Sequence, residues 1–144
     1  MKILDGKKIS QDIKDELKIL VSNRLKKGLK KPHLAAIIVG NDGASLTYVG
    51  SKVKACDYVG YDSTLIKLEE SITEEFLLEK INNLNNNPHI DGFIVQLPLP
   101  RGIDEQKILL AIDPYKDVDG FHPTNFGRMS LEMESFIPAT PYGI

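Results

Sequence analysis

Residues 34–39, LAAIIV, form an unbroken apolar run closed by Gly40. A strand with one wet face alternates polar and apolar side chains, whereas a run without alternation suits a strand buried on both faces. That demand constrains the whole chain, because helices must then cover the sheet from above and below. Two further stretches read as strands. Residues 90–95, IDGFIV, are nearly continuous, and residues 63–68, STLIKL, alternate in part.

Helical patterns fill the gaps. From Lys7 to Gly28, apolar residues at Ile9, Ile13, Leu17, Leu20, Val21 and Leu25 recur at three- and four-residue steps, an amphipathic helix stopped before Pro32. Residues 44–59 open after Gly40-Asn41-Asp42-Gly43 and carry Leu46, Val49, Val53 and Cys56 on one stripe. Ser71 to Glu74 offer capping residues for a helix over 73–84, with Phe76, Leu77 and Ile81 inward. Asn82 to Asn87 then exhaust helix propensity and predict a polar loop before Pro88. A fourth helix spans 104–112 and stops at Asp113-Pro114, and residues 2–4 fit a short strand or cap. From Tyr115 onward the pattern is turns with short apolar pieces. Strands alternating with helices predict an α/β domain of three layers, a mostly parallel sheet flanked by helices with right-handed crossovers. Ligands in such folds bind at the carboxyl ends of the strands.

Composition narrows the partners. Eighteen basic against twenty acidic residues give a net charge of −2 over 144 residues. No basic excess exists to neutralise phosphates, which points away from nucleic acid. Cys56 is the single cysteine, so no intrachain disulfide forms and a reducing compartment is the default. The opening MKILDGKKIS lacks the apolar run of a signal peptide, and no stretch has the length of a membrane span. The expectation is a cytoplasmic protein without membrane attachment.

Candidate chemistry gathers at the strand ends. Tyr48 and Lys52 stand one helical turn apart on the same face, beside the apolar stripe. Each has two readings: a solvated lysine and a half-buried tyrosine, or a phenol that positions a substrate while an amine moves a proton. Gln96 ends a strand just before Leu97-Pro98-Leu99-Pro100, where a rigid turn suits either ligand recognition or plain backbone satisfaction. One of the Leu-Pro bonds is a candidate for the cis form. Lys116 to Pro123, KDVDGFHP, brings two carboxylates and a histidine. A calcium loop with its glycine at Gly120 would require an acid at 115 and Glu at 126, and the chain has Tyr115 and Phe126. His33 and His89 show no ligand spacing, so a metal site is disfavoured and Asp119 is better suited to the N–H groups of a heterocycle. No Walker A or G-x-G-x-x-G motif occurs, and the two glycines of residues 40–43 are a weak anion signal.

Taken in order, Ile3-Leu4-Asp5-Gly6-Lys7, Val39-Gly40-Asn41-Asp42-Gly43-Ala44-Ser45, Tyr48-Val49-xx-Lys52-x-Lys54-Ala55-Cys56, Asp91-Gly92-xxx-Gln96-Leu97-Pro98-Leu99-Pro100, Lys116 to Pro123 and Pro138-Ala139-Thr140-Pro141 form a set. The chain resembles, from end to end, the amino-terminal catalytic domain of the bifunctional methylenetetrahydrofolate dehydrogenase/methenyltetrahydrofolate cyclohydrolase family. The resemblance implies that Lys52 is the catalytic lysine, that Tyr48 stacks on and positions the substrate, and that Gln96 hydrogen-bonds near the lysine. It implies that Asp119 grips the pterin while Leu97, Pro98 and Pro100 wall the pocket. It implies oxidation of 5,10-methylenetetrahydrofolate with NADP and hydrolysis of the product to 10-formyltetrahydrofolate, by a homodimer when full-length. A lysine facing a cationic substrate in a partly dry cleft is then expected to serve as the base. Family members are about two domain lengths long, and the half not matched here is a Rossmann domain that binds the nicotinamide cofactor; a final helix that packs back on this domain is likewise unmatched. The expected division is a tetrahydrofolate-binding domain over residues 1–137 and the start of an inter-domain segment over 138–144, with Ala139 where many members carry Cys. On that basis no cofactor-binding residue is expected in this chain, dehydrogenase activity of the piece alone should be nil, and a non-catalytic folate-binding or assembly module stands as the alternative.

Overall fold

His33–Val39 forms strand β1, the middle of a three-stranded parallel sheet; a computed structural model describes residues 5–142. One neighbour is β2, Asp62–Leu68, paired from His33↔Asp62 to Val39↔Leu68, and the other is β3, Gly92–Val95, paired from Leu34↔Gly92 to Ile37↔Val95. The helices are α1 (Gly6–Lys26), α2 (Gly43–Val59), α3 (Glu74–Asn85), α4 (Glu105–Ala111), α5 (Pro123–Ser130) and the short α6 (Ala139–Tyr142).

The period-two geometry of the strands divides the core. Ala35, Ile37, Val39, Phe93 and Val95 point to one face, where they meet Leu77, Ile81 and Leu84 of α3 and Ile108 of α4. Ala36, Ile38 and Ile94 point to the other, where Val49 of α2 covers them together with Leu46, Val53 and Val118. The uninterrupted apolar run is thereby explained. Residues 35–39 are all buried because each successive side chain meets a different helical layer. At the edge, β2 keeps the partial alternation of its sequence, with Asp62, Leu65 and Lys67 exposed.

Several expectations needed correction. In α1 only Val21 of the stripe is fully buried, whereas Ile9, Ile13, Leu20 and Leu25 are exposed. The reason is that α1 lies on α2 rather than on the sheet, pinned where Tyr58 donates to Asp15 Oδ1 at 2.5 Å and Lys18 sits over the Tyr58 ring. Phe76 is exposed rather than inward; Leu77 takes the core position, and the Phe76 ring lies under Lys80. The helix expected over 73–84 is α3, Glu74–Asn85, so the polar loop begins at Asn86 and not at Asn82. Leu84 is buried, and the Asn85 amide donates to Ala111 O at 2.8 Å while accepting from Asp113 N at 2.9 Å, so tertiary partners override weak local propensity. Within the stretch read as turns, α5 forms, capped by His122 with Pro123 in its first turn. The short strand or cap expected at residues 2–4 lies outside the described residues.

Truncating the centre of the sheet tests this frame. Ile37 is fully buried between α3 and α4 on one side and its neighbouring strands. Ile37→Ala is expected to lower unfolding free energy by about 2–5 kcal/mol, measured by urea denaturation followed by circular dichroism; a loss under about 1 kcal/mol would contradict the two-faced core.

Candidate functional site

Helix α2 leaves the carboxyl end of β1 and carries the first two candidate groups. Asp42 caps it, accepting from Ser45 N at 2.7 Å, and Gly60 closes it in the left-handed conformation at φ +88°. The Ser45 amide, then the Ser45 hydroxyl, hold the Asp42 carboxyl below its ordinary pKa, against a smaller opposing effect of desolvation. Tyr48 is exposed, on the solvent side of the helix, with Lys52 Nζ 4.6 Å from its ring centroid. On the other side of Lys52, Asp119 Oδ1 accepts from its Nζ at 3.3 Å. The lysine is therefore held between a π face and a carboxylate, with side-chain exposures of 23% for Lys52 and 32% for Asp119.

Asp119 reaches this place through the sheet. Phe93 of β3 forms a parallel bridge with Asp117, and Phe93 N donates to Lys116 O at 2.9 Å. Residues 116–119 thus run alongside β3 in its own direction and arrive at the carboxyl end, where β3 delivers Gln96. Backbone hydrogen bonding continues one residue beyond β3, since Gln96 N donates to Ile37 O at 2.9 Å. Leu97–Pro98 is the cis bond of the following turn. Glu105 of α4 holds that turn by accepting from Leu99 N at 2.9 Å. Leu97 and Pro100 are half-buried and Pro98 is exposed.

The structure brings Tyr48, Lys52 and Asp119 together, but not Gln96 with the lysine. The Gln96 amide folds back and donates to Leu97 O at 2.7 Å, and Asp119 takes the ammonium instead. Two residues were missed by sequence reasoning. Glu105 looks like any first-turn acid, and Asp117 is hard to distinguish from Asp119 two positions away, yet it is 2% exposed. A cavity of about 400 Å³ lies elsewhere, against Pro114, Tyr115, Thr124, Asn125, Arg128 and Phe136.

Other chemistries find little support. Burial, and secondarily Asp57, push the Cys56 thiol up, which suits an inert core residue. Among the described residues no three His, Cys, Asp or Glu side chains group as metal ligands. A dinucleotide pyrophosphate needs free amides at a helix start. At α2 the Asp42 carboxylate already accepts from the Ser45 amide, and its negative charge opposes a phosphate. The start of α2 therefore does not fit a dinucleotide pyrophosphate.

Fold and site together define a three-layer α/β domain with an amine, a phenol and a carboxylate converging at its strand ends. Residues 4–119 match the family model described as tetrahydrofolate dehydrogenase/cyclohydrolase, catalytic domain, and the chain belongs to that family. Bifunctional protein FolD of Flavobacterium johnsoniae is 69% identical over all 144 residues, which cover 49% of that protein. The chain spans about half the length of the curated relatives it matches. The crystal structure of the FolD methylenetetrahydrofolate dehydrogenase/cyclohydrolase from Campylobacter jejuni superposes with a TM-score of 0.95 at 47% identity, covering 99% of this chain and 51% of that one. The Trypanosoma brucei enzyme, solved with NADP cofactor and an inhibitor, superposes with a TM-score of 0.92 at 31% identity, covering 98% of this chain and 48% of that one.

The cap of α2 gives the site a pH dependence. A carboxyl whose folded pKa is depressed contributes stability that is complete above the unfolded value of about 3.9 and lost as pH falls through the lower folded value. Asp42→Ala is therefore expected to melt below the wild type at pH 7, with the gap closing on acidification below about pH 4. Thermal melts at stepped pH check this; a gap constant down to pH 2 would remove the cap's electrostatic role.

Proposed function

We propose that this chain is the folate-holding, proton-moving half of an enzyme that interconverts one-carbon forms of tetrahydrofolate. In this reading the whole protein oxidises 5,10-methylenetetrahydrofolate to the 5,10-methenyl compound and hydrolyses that product to 10-formyltetrahydrofolate. The observation that carries it is Lys52, held between the Tyr48 ring and the Asp119 carboxylate at the carboxyl ends of β1 and β3, in a chain of this family.

The energetics suit a site that waits for a ligand. A partly exposed ion pair contributes about 0–1 kcal/mol, and a cation over an exposed ring about 0.5–1 kcal/mol. Micromolar binding corresponds to about 8 kcal/mol, so a ligand can part Lys52 from Asp119 at small cost. Asp119 then accepts from the N–H groups of the pterin ring, and the Tyr48 face lies against the flat part of the substrate. The turn at Leu97, Pro98 and Pro100 closes one side, and Gln96 lies at its start.

The methenyl compound carries an amidinium carbon. Water adds its oxygen to that carbon, Lys52 in its neutral form takes one proton and passes it to solvent, and the carbon–N5 bond opens as N5 takes the other. The products are 10-formyltetrahydrofolate and a released proton, which balances atoms and charge. Lys52 is the group whose reach and mobility fit this transfer. NADP accepts the hydride in the oxidation, a choice that the NADP complex of the Trypanosoma brucei relative supports, and on this reading it is held by the half of the protein that this chain does not span. The same reading makes the whole protein a cytoplasmic homodimer; among the described residues no helix is long and apolar enough to cross a membrane.

Titrating the chain with 5,10-methenyltetrahydrofolate, and following the ligand's absorbance, tests the reading. Binding is expected, and turnover without a second half would make the chain a cyclohydrolase by itself. Binding alone would leave it a folate-holding module until joined to the carboxy-terminal half of the Flavobacterium johnsoniae relative. In that chimera Lys52→Met should cut hydrolysis by at least about a hundredfold while the ligand still binds. Full hydrolysis by the variant would sink the assignment of Lys52, and absence of any binding would sink the folate reading.

A further inference from the structure

Behind Asp119 lies a second carboxylate that the proposed reaction does not use. Asp117 is 2% exposed and accepts three hydrogen bonds. Gly120 N donates to Oδ1 at 3.1 Å; His122 N and Asn125 Nδ2 donate to Oδ2 at 2.8 and 3.0 Å. Asn125, itself buried, also donates to Pro114 O at 2.8 Å and so ties α5 to the turn that precedes the loop. A buried carboxylate is costly unless its lone pairs are filled. Three N–H donors on one carboxylate repay that cost and fix the backbone that supplies them.

The rest of the run is fixed as tightly. Lys116 Nζ reaches Leu84 O and Asn87 O at 2.9 and 2.8 Å, which ties it to the end of α3. Val118 packs into the core beneath α2, and Gly92 makes room for it: a Cβ at Gly92 would stand 2.2 Å from Val118 Cγ1. Gly120 sits at φ +72°, where a Cβ would come within 2.6 Å of Phe136 O. Of residues 116–120, Asp119 alone turns a side chain to Lys52.

We infer that Asp117, acting with Asn125, is the positioning residue that aims the Asp119 carboxylate at Lys52 and at the ligand. It binds the amide immediately after Asp119 and a second one two residues further on, so the direction of Asp119 follows from where Asp117 holds that turn. An amide in its place cannot serve. Donors face both carboxylate oxygens, so whichever way Asn is turned its NH₂ meets an N–H. This role rests on the folate reading of the site.

A double-mutant cycle on the full chain tests it, reading the Kd for 5,10-methenyltetrahydrofolate. Asp119→Ala is expected to weaken binding. Asp117→Asn should weaken it on the order of tenfold when Asp119 is present and add little when Asp119 is already Ala. Asn125→Ala leaves both backbone bonds of Asp117 and should give the same pattern at smaller size; it decides the matter if Asp117→Asn does not fold. Equal losses in both backgrounds would mean that Asp117 acts on the fold at large, and would overturn the positioning role. So would undiminished affinity in folded Asp117→Asn and Asn125→Ala while Asp119→Ala binds poorly. Undiminished affinity in Asp119→Ala would overturn the site reading itself, and the positioning role with it.

Discussion

Burial of β1 on both faces is the constraint from which the rest of the structure follows. A strand with apolar side chains above and below cannot stop at one helical layer, so α3 and α4 must cover one face and α2 the other. Parallel neighbours then place the carboxyl ends of all three strands together. The helix that covers the second face starts at that end, at Gly43, three residues after Gly40. Tyr48 and Lys52 are near the strand ends because α2 has to begin there. Gln96 and Asp119 arrive by the same logic, one at the end of β3 and the other on a segment paired in parallel with β3.

What could be read from the residues follows how local the cause is. The strands, the cap at Thr73, the end of α2 at Val59 and a cis Leu-Pro bond each rest on a few neighbouring residues, and each could be anticipated. Failures came where a distant partner decided. Asn85 remains helical because its amide is taken by Ala111 and Asp113. The stripe of α1 is a true helical period, but periodicity does not say whether the covering surface is a broad sheet or one other helix. Ile9, Ile13 and Leu20 therefore lie in solvent despite an unambiguous pattern.

The site divides in the same way. Tyr48 and Lys52 could be paired from spacing alone, since a helical turn sets their separation. Asp119 follows from the family resemblance and not from spacing, because Asp117 and Asp119 have identical chemistry two positions apart. Only the bridge to Phe93 and the packing of Val118 decide which carboxylate faces inward and which meets Lys52. The expected contact of Gln96 with the lysine failed for a related reason. A side chain beside a tight turn has a nearby carbonyl as competitor, and Leu97 O is nearer in sequence than any group across the cleft.

The two carboxylates illustrate how one loop can be both rigid and responsive. Asp117 meets three fixed donors in a buried place, where losing any of them leaves an unpaired polar group and a penalty of about 1–3 kcal/mol. Asp119 meets one lysine at 3.3 Å in a partly exposed place, where separation costs about 1 kcal/mol or less. The loop backbone therefore keeps its shape while the Asp119 side chain is able to exchange partners. A group meant to transfer its hydrogen bonding from Lys52 to an arriving heterocycle needs that asymmetry. If both carboxylates were loosely held the ligand would have to order the loop, and if both were buried the lysine would not be released.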